Sequence, residues 1–387
     1  MMTRKAFDEV VLFARTGLNP RTNFKLGSGN NKYITIKNIH NNRLVIDENT
    51  DLVDDAAISL IHKRSQIKKG DILFCSIGRM GDMYIIPDEP QGWDINESVF
   101  AFTVDTNLIR QKYFYYLFKN RDTIEYLSKN SSGSTFKSIK MNQLKKMVFE
   151  LPTLDEQDRI VDSLDLVSSI IEKRENELTR LDELIKARFV EMFGDPINNT
   201  KHLPICHLGE LGIWNSGGTP SRTNPEYFTG SINWYSAGEL NSLYLHGSNE
   251  KITEEAIDNS ATKLFKAGSM LVGMYDTAAF KMGILIEDSA SNQACACIEP
   301  NNSIDIIWLY YALTLMKGSY LSQRRGVRQK NLNLGMIREF TLPIACIDEQ
   351  KQFVSFVKQV NKSKFVVQKS LEEAQLLFDS LMQEYFG

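Results

Sequence analysis

The sequence is short of the residues that build most active sites. Its 387 residues include five cysteines, five histidines and four tryptophans. The cysteines are odd in number and scattered, at Cys75, Cys206, Cys295, Cys297 and Cys346. Their one close pair is C-x-C on an expected strand, not the C-x2-C of a zinc site, so they read as reduced packing residues. The histidines (His40, His62, His202, His207, His246) form neither H-E-x-x-H nor a triad order, and packing or surface roles are expected of them. No G-x4-G-K-[ST] nucleotide loop occurs. No apolar run approaches the roughly 20 residues of a membrane span; the longest, at 306–315, is about half of that. Early charges at Arg4, Lys5, Asp8 and Glu9 leave no room for the apolar core of a secretory signal, so a cytoplasmic location is expected. These absences point away from a metalloenzyme, a nucleotide hydrolase, a disulfide scaffold and a membrane protein.

What is present is a repeat. From Ile160, steps of four and three reach Leu164, Val167, Ile171, Arg174, Leu178, Leu181, Ile185, Arg188 and Met192, the heptad spacing of a left-handed coiled coil. Pro152 and the capping residues Thr153 and Asp155 mark its start, and Gly194 and Pro196 mark its end. Such a helix reaches about 58 Å at roughly 1.5 Å per residue, too long for one compact domain without a partner stripe. The same frame recurs 193 positions later at Phe353, Val357, Val360, Lys364, Val367, Leu371, Ala374, Phe378, Leu381 and Tyr385. Asp155-Glu156-Gln157 returns as Asp348-Glu349-Gln350, and Phe193-Gly194 as Phe386-Gly387. The chain is two copies of one unit, a globular part followed by a long helix.

The globular parts repeat as well. Residues 69–73 match 267–271, and 96–104 match 292–298. An aromatic-rich, helical segment follows in each, at 113–118 and 308–315. Short β-rich runs bounded by Gly, Asn and Pro, with one or two modest helices, give an α+β class. The expected order is a mixed α/β domain at 1–152, a long helix at 153–195, a second mixed domain at 196–347 and a second long helix at 348–387. A compact domain of this size has termini that are often close together, whereas parallel helices would stretch the second domain over a full helix length. The two helices are therefore expected to pair as an antiparallel coiled coil with internal two-fold pseudo-symmetry. The expected seam is Ile160, Leu164, Val167, Ile171, Leu178, Leu181 and Ile185 against Phe353, Val357, Val360, Val367, Leu371, Phe378 and Leu381.

The formal net charge of −3 hides an uneven distribution. Residues 1–152 carry 22 lysines and arginines against 17 acids, whereas 153–195 carry 6 against 12. The acid sits on the first helix, and the globular parts are free to be locally basic. Two acid-free basic stretches fall at the same place in both copies. One, at 126–149, includes Lys137 and Lys140 beside Ser132, Ser134 and Thr135. The other, at 306–337, includes Arg324, Arg325, Arg328, Gln329, Lys330 and Asn331. Cations neutralise phosphates, and Arg, Asn and Gln can pair with base edges, so the recurrence reads as a DNA contact in each copy. Two polar loops after glycines are weaker candidates: Arg21, Thr22, Lys25, Lys32 and Lys37 in the first copy, and Ser221, Arg222, Thr223, Tyr235 and Ser236 in the second. Arg79 and Lys281 complete the set. Tyr33 and Trp234 read as core. Asn224-Pro225-Glu226-Tyr227 is one residue away from the N-P-P-[YF] of amino-methyltransferases, but the preceding residues form a polar turn, and it reads as an Asn-Pro turn. No catalytic or metal-binding residue is assigned.

These motifs resemble, over essentially the whole chain, the specificity subunits of type I restriction–modification systems. The resemblance is carried by the Leu-Pro…Asp-Glu-Gln entries at 151–157 and 342–350, the Phe-Gly exits, Gly-Gly-Thr-Pro at 217–220 and Gly-Asp-Ile-Leu at 70–73. It implies two target recognition domains, each reading half of a bipartite DNA site and spaced by the helical pair. It implies a subunit without catalysis or cofactor of its own. S-adenosylmethionine, ATP and magnesium would sit on partners: two methyltransferase subunits and the restriction–translocase subunits. Gly17-Leu18-Asn19-Pro20 replaces Gly-Gly-Thr-Pro in the first copy and leaves that loop's geometry open. The rival readings are a specificity subunit of a related bipartite-site system, a self-contained methyltransferase or nuclease, and a coiled-coil adaptor that binds only protein.

Overall fold

A computed structural model describes residues 2–133, 136–323 and 331–387. The chain divides into two compact units, Met1–Lys173 with Ser370–Gly387, and Arg174–Lys369. The division falls inside both long helices, Leu154–Phe193 and Ile347–Phe386, so each helix gives one half to each unit.

The first unit is built on a four-stranded antiparallel sheet in the order Val11–Thr16, Val99–Val104, Ile72–Cys75, Met83–Ile85. A smaller sheet sets Asn31–Ile34 between an antiparallel Leu52–Val53 and a parallel Trp93–Ile95. Thr3–Ala6 pairs with Val148–Leu151 beside the long helix. The inward rings of Phe74, Phe102, Phe114 and Phe149 meet Ile160, Val161 and Leu164 from the first long helix and Met382 from the second. Tyr113 stacks near Phe386 and Tyr116 near Phe378, at 5.2 and 6.1 Å between centroids.

The second unit repeats this plan. Its main sheet runs Gly212–Ser216, Cys295–Pro300, Met270–Gly273, Met282–Leu285, with a short parallel strand Tyr244–Leu245 added at the edge. Ile232–Tyr235 is the centre of the smaller sheet, and Ile205–His207 pairs with Thr341–Pro343. The first unit, with Asp55–Ser65, Gln111–Leu117 and Arg121–Asn130, holds more than the one or two modest helices expected, and the aromatic segment of the second forms the longer helix Ile306–Ser322. Phe189 and Phe193 pack edge-on against Phe353, and Lys364 reaches Asp182 at 2.6 Å. Rising numbers on one helix meet falling numbers on the other, so the pairing is antiparallel. Arg174 and Arg188 stay in the stripe by turning along their own helix to Glu177 and Glu191, each at 2.7 Å.

All seam positions are buried or half-buried, with Leu164, Ile185, Phe353 and Val357 fully so. Burying such a side chain contributes about 1.5–3 kcal/mol. The buried cysteines, Cys75, Cys295 and Cys297, lie in the cores, and burial raises their thiol pKa values. No helix among the described residues is long and apolar enough to cross a membrane.

The glutamine of each Asp-Glu-Gln motif ties its helix to the domain. The Gln157 side chain, fully buried, accepts from the Arg110 amide at 2.9 Å and donates to the carbonyls of Leu108 and Pro152 at 3.0 and 3.1 Å. Gln350 repeats this with the Asp305 amide and the carbonyls of Ser303 and Ala345. Removing the side chain strands buried backbone groups, each at about 1–3 kcal/mol. Gln157→Ala should therefore lower stability in denaturant unfolding by about 3 kcal/mol. Glu156→Gln, at an exposed neighbour, should change it little.

Candidate nucleic-acid interface

The first polar loop of each copy hangs from the same two fixtures. A side chain at Gly17 would lie 1.7 Å from the Ile95 carbonyl oxygen, and one at Gly217 would lie 2.3 Å from that of Ser291, so only glycine lets the loop pass. One residue later, the Leu18 carbonyl accepts from the Tyr33 hydroxyl at 2.8 Å, and the Gly218 carbonyl from the Trp234 indole at 3.0 Å. Both aromatics are buried, as expected. The departure from Gly-Gly-Thr-Pro in the first copy thus leaves this anchor in place. Arg21, Thr22 and Lys25 are exposed beyond it, as are Ser221, Arg222 and Thr223; Lys32 is half-buried on its strand and Lys37 exposed.

Arg222 is already engaged. Its guanidinium meets both Glu250 oxygens, at 2.5 and 2.7 Å, and lies over the rings of Phe228 and Trp234 at 4.2 and 5.2 Å. The Arg222 hydrogen bonds hold the Glu250 carboxyl below its ordinary pKa. Tyr235 has to be removed from the DNA-contact set. Its strand is the middle one of three and is covered on both faces, with Trp234 in one apolar cluster and Tyr235, 1% exposed, in the other. Its repeat equivalent, Ile34, is fully buried in the same register. Ser236 is taken up locally, donating to the Glu239 carboxylate at 2.6 Å. Asn224 accepts from the Glu226 amide and caps a short turn, consistent with an Asn-Pro turn.

The basic stretch of the first copy forms a pinned loop. Ser132 and Ser138 exchange two backbone hydrogen bonds of 2.9 Å. The Gly78 amide donates to Lys137, and the Ile139 amide to Ser76. This brings Arg79 beside Ser132, Lys137 and Lys140, all four exposed. Lys137 also donates to the Ser128 hydroxyl at 3.2 Å. In the second copy the Leu332 amide donates to Met274, as Ile139 does to Ser76, and both side chains are 2% exposed. That makes Ile139 and Leu332 equivalent anchors, 193 positions apart like the helix repeats. Lys281, half-buried, donates to the Gly238 carbonyl at 3.3 Å, and Asn331 is half-buried and engaged. Ser134, Thr135, Arg324, Arg325, Arg328, Gln329 and Lys330 lie outside the described residues.

One exposed side chain escaped the sequence reading. Phe136 is 67% exposed in the middle of the first basic loop. Its signal was an aromatic residue in a run otherwise made of Gly, Ser, Thr and Lys. Among the described residues, no group of His, Cys, Asp and Glu is arranged to hold a metal ion.

Comparison with known proteins agrees with this geometry. The sequence matches the family described as "Type I restriction modification DNA specificity domain" twice, over residues 4–180 and 205–374. It is 29% identical over 156 residues to the EcoR124I/EcoR124II type I restriction enzyme specificity subunit of Escherichia coli, an alignment covering 39% of each chain. It is 26% identical over 175 residues to the MjaIX specificity subunit of Methanocaldococcus jannaschii, covering 41% of this chain and 40% of that one. These alignments thus span about two fifths of each relative's length. A type I system S subunit from M. genitalium has the same fold, with a TM-score of 0.58, 15% identity and coverage of 100% of this chain and 96% of that one. Two matches to one domain, together spanning most of the sequence, place this chain in the type I restriction–modification DNA specificity family.

Proposed function

We propose that the chain is the DNA-recognition subunit of a type I restriction–modification complex, acting in the cytoplasm. Each unit reads one half of a bipartite double-stranded site, and the paired helices set the spacing between halves. The acidic first helix offers a docking face to two methyltransferase subunits, which in turn join restriction–translocase subunits. S-adenosylmethionine, ATP and magnesium belong to those partners, and this chain contributes recognition without chemistry of its own.

The observation that carries the proposal is the repetition of one loop scaffold in both units. The carbonyls of Leu18 and Gly218 are held by equivalent aromatics, and the amides of Ile139 and Leu332, each next to a basic stretch of the sequence, donate to the equivalent carbonyls of Ser76 and Met274. Two copies of one exposed polar surface suit two half-sites, as protein two-fold symmetry suits a divided operator. A protein-only adaptor has no need of acid-free loops, and a DNA reader has.

The spacing role is testable by length. Seven residues inserted at equivalent points of both helices keep the seam in register and lengthen each by about 10 Å. Genome-wide methylation mapping should then return both half-sequences with the unread centre longer by about three base pairs, at roughly 3.4 Å each. An unchanged gap would refute the spacing role.

Charge makes a second test. Arg222 is neutralised by Glu250, so it adds little to phosphate binding, whereas Lys137 and Lys140 have no acid paired with them in the described hydrogen bonds. Glu250→Gln should release one cation and steepen the dependence of log affinity on log salt by about one unit. Lys140→Ala should flatten it by about as much. Binding titrations of the assembled complex over a salt series measure both.

A further inference from the structure

We propose that Phe136 is an aromatic wedge that enters a base step of the DNA half-site read by the first unit. The inference rests on the DNA-recognition reading above and adds a contact which that reading does not contain.

The neck of the loop that carries Phe136 is closed by hydrogen bonds, and the ring stands in water. Ser132 and Ser138 close the neck with two hydrogen bonds, the Lys137 carbonyl accepts from Gly78, and Ile139 beneath them is buried. Gly133, at φ +116°, lies so close to the returning chain that a side chain there would meet the Phe136 carbonyl oxygen at 2.2 Å. These contacts flank a ring that is 67% exposed. A core residue would be turned inward, and a solubilising loop would carry a polar residue there.

The neighbourhood says what covers the ring. Residues 126–149 contain no Asp or Glu, and Arg79, Lys137 and Lys140 stand exposed on the same pinned surface. One ring among cations is far smaller than a protein interface, which takes about 800 Å² from each partner. It matches a stacked base flanked by phosphates: cations hold the backbone, and an apolar wedge opens a base step. Such a wedge also selects sequence, because pyrimidine–purine steps open most easily. In the sequence, Gln329 rather than an aromatic stands 193 positions after Phe136, so the wedge is proposed for the first half-site alone.

The test uses the full complex with its methyltransferase subunits, on duplexes whose half-sites have been read by methylation mapping. 2-Aminopurine is placed at each position of the first half-site in turn. The wild-type complex should raise emission at one step. Phe136→Ala should abolish that rise and weaken binding about tenfold, the loss of one stacked base, with an unchanged salt slope. Phe136→Leu should keep most of both, because a leucine can still wedge. The second half-site should be indifferent to either change. No emission change at any step, or a Phe136→Ala complex that binds as before while Lys137→Ala still flattens the salt slope, would overturn the wedge and leave the recognition reading intact. A Phe136→Ala loss that comes with a flatter slope would make the ring a mere support for phosphate contacts and would also overturn it. If neither Phe136→Ala nor Lys137→Ala altered DNA binding, both the wedge and the recognition role of this loop would fall.

Discussion

An apolar stripe running along two 40-residue helices has to be buried, and the rest of the structure follows from how it is divided. Each helix gives one half of its stripe to one unit and the other half to the second. Within each unit the helix halves run antiparallel and complete the domain core, through Ile160, Leu164 and Met382 in one and Ile185, Phe189 and Phe353 in the other. Neither globular part closes its core without the helices. The buried glutamines Gln157 and Gln350 then fix where each helix leaves its domain.

The duplication is deeper in the structure than in the residues. Gly17 and Gly217 are both glycine because a carbonyl blocks any side chain. The ring held beneath each loop is a tyrosine in one copy and a tryptophan in the other, yet each donates to the same carbonyl position. Elsewhere the copies diverge. Asp71 is buried and takes hydrogen bonds from Arg15, Thr103 and the Lys68 amide, and Ser269 stands in its place in the second unit.

The long helices were legible because a heptad pattern over 40 residues has no competing explanation. The repeated strands at 72–75 and 270–273 were legible as apolar runs after a glycine turn. Sheet order was not, since strand pairing is a long-range choice that local pattern does not encode. At the candidate interface, glycine and charge located the loops but could not say which polar groups the fold would use itself. Arg222 went to Glu250, Ser236 to Glu239, and Tyr235 into the core, because a strand covered on both faces hides every other residue from pattern reading. Phe136 was missed for the opposite reason: aromatic residues are expected inside, and only the fold reveals one held out.

The central claim, that each unit reads one half-site by itself, is most directly tested by making the two units alike. In a chain whose residues 205–346 are replaced by a second copy of 3–153, both long helices are kept and both domains carry the first reading surface. Assembled with the methyltransferase subunits and mapped by methylation sequencing, this protein should modify an inverted repeat of the first half-sequence. Methylation of the original asymmetric site, or of a site containing only one half-sequence, would contradict the account.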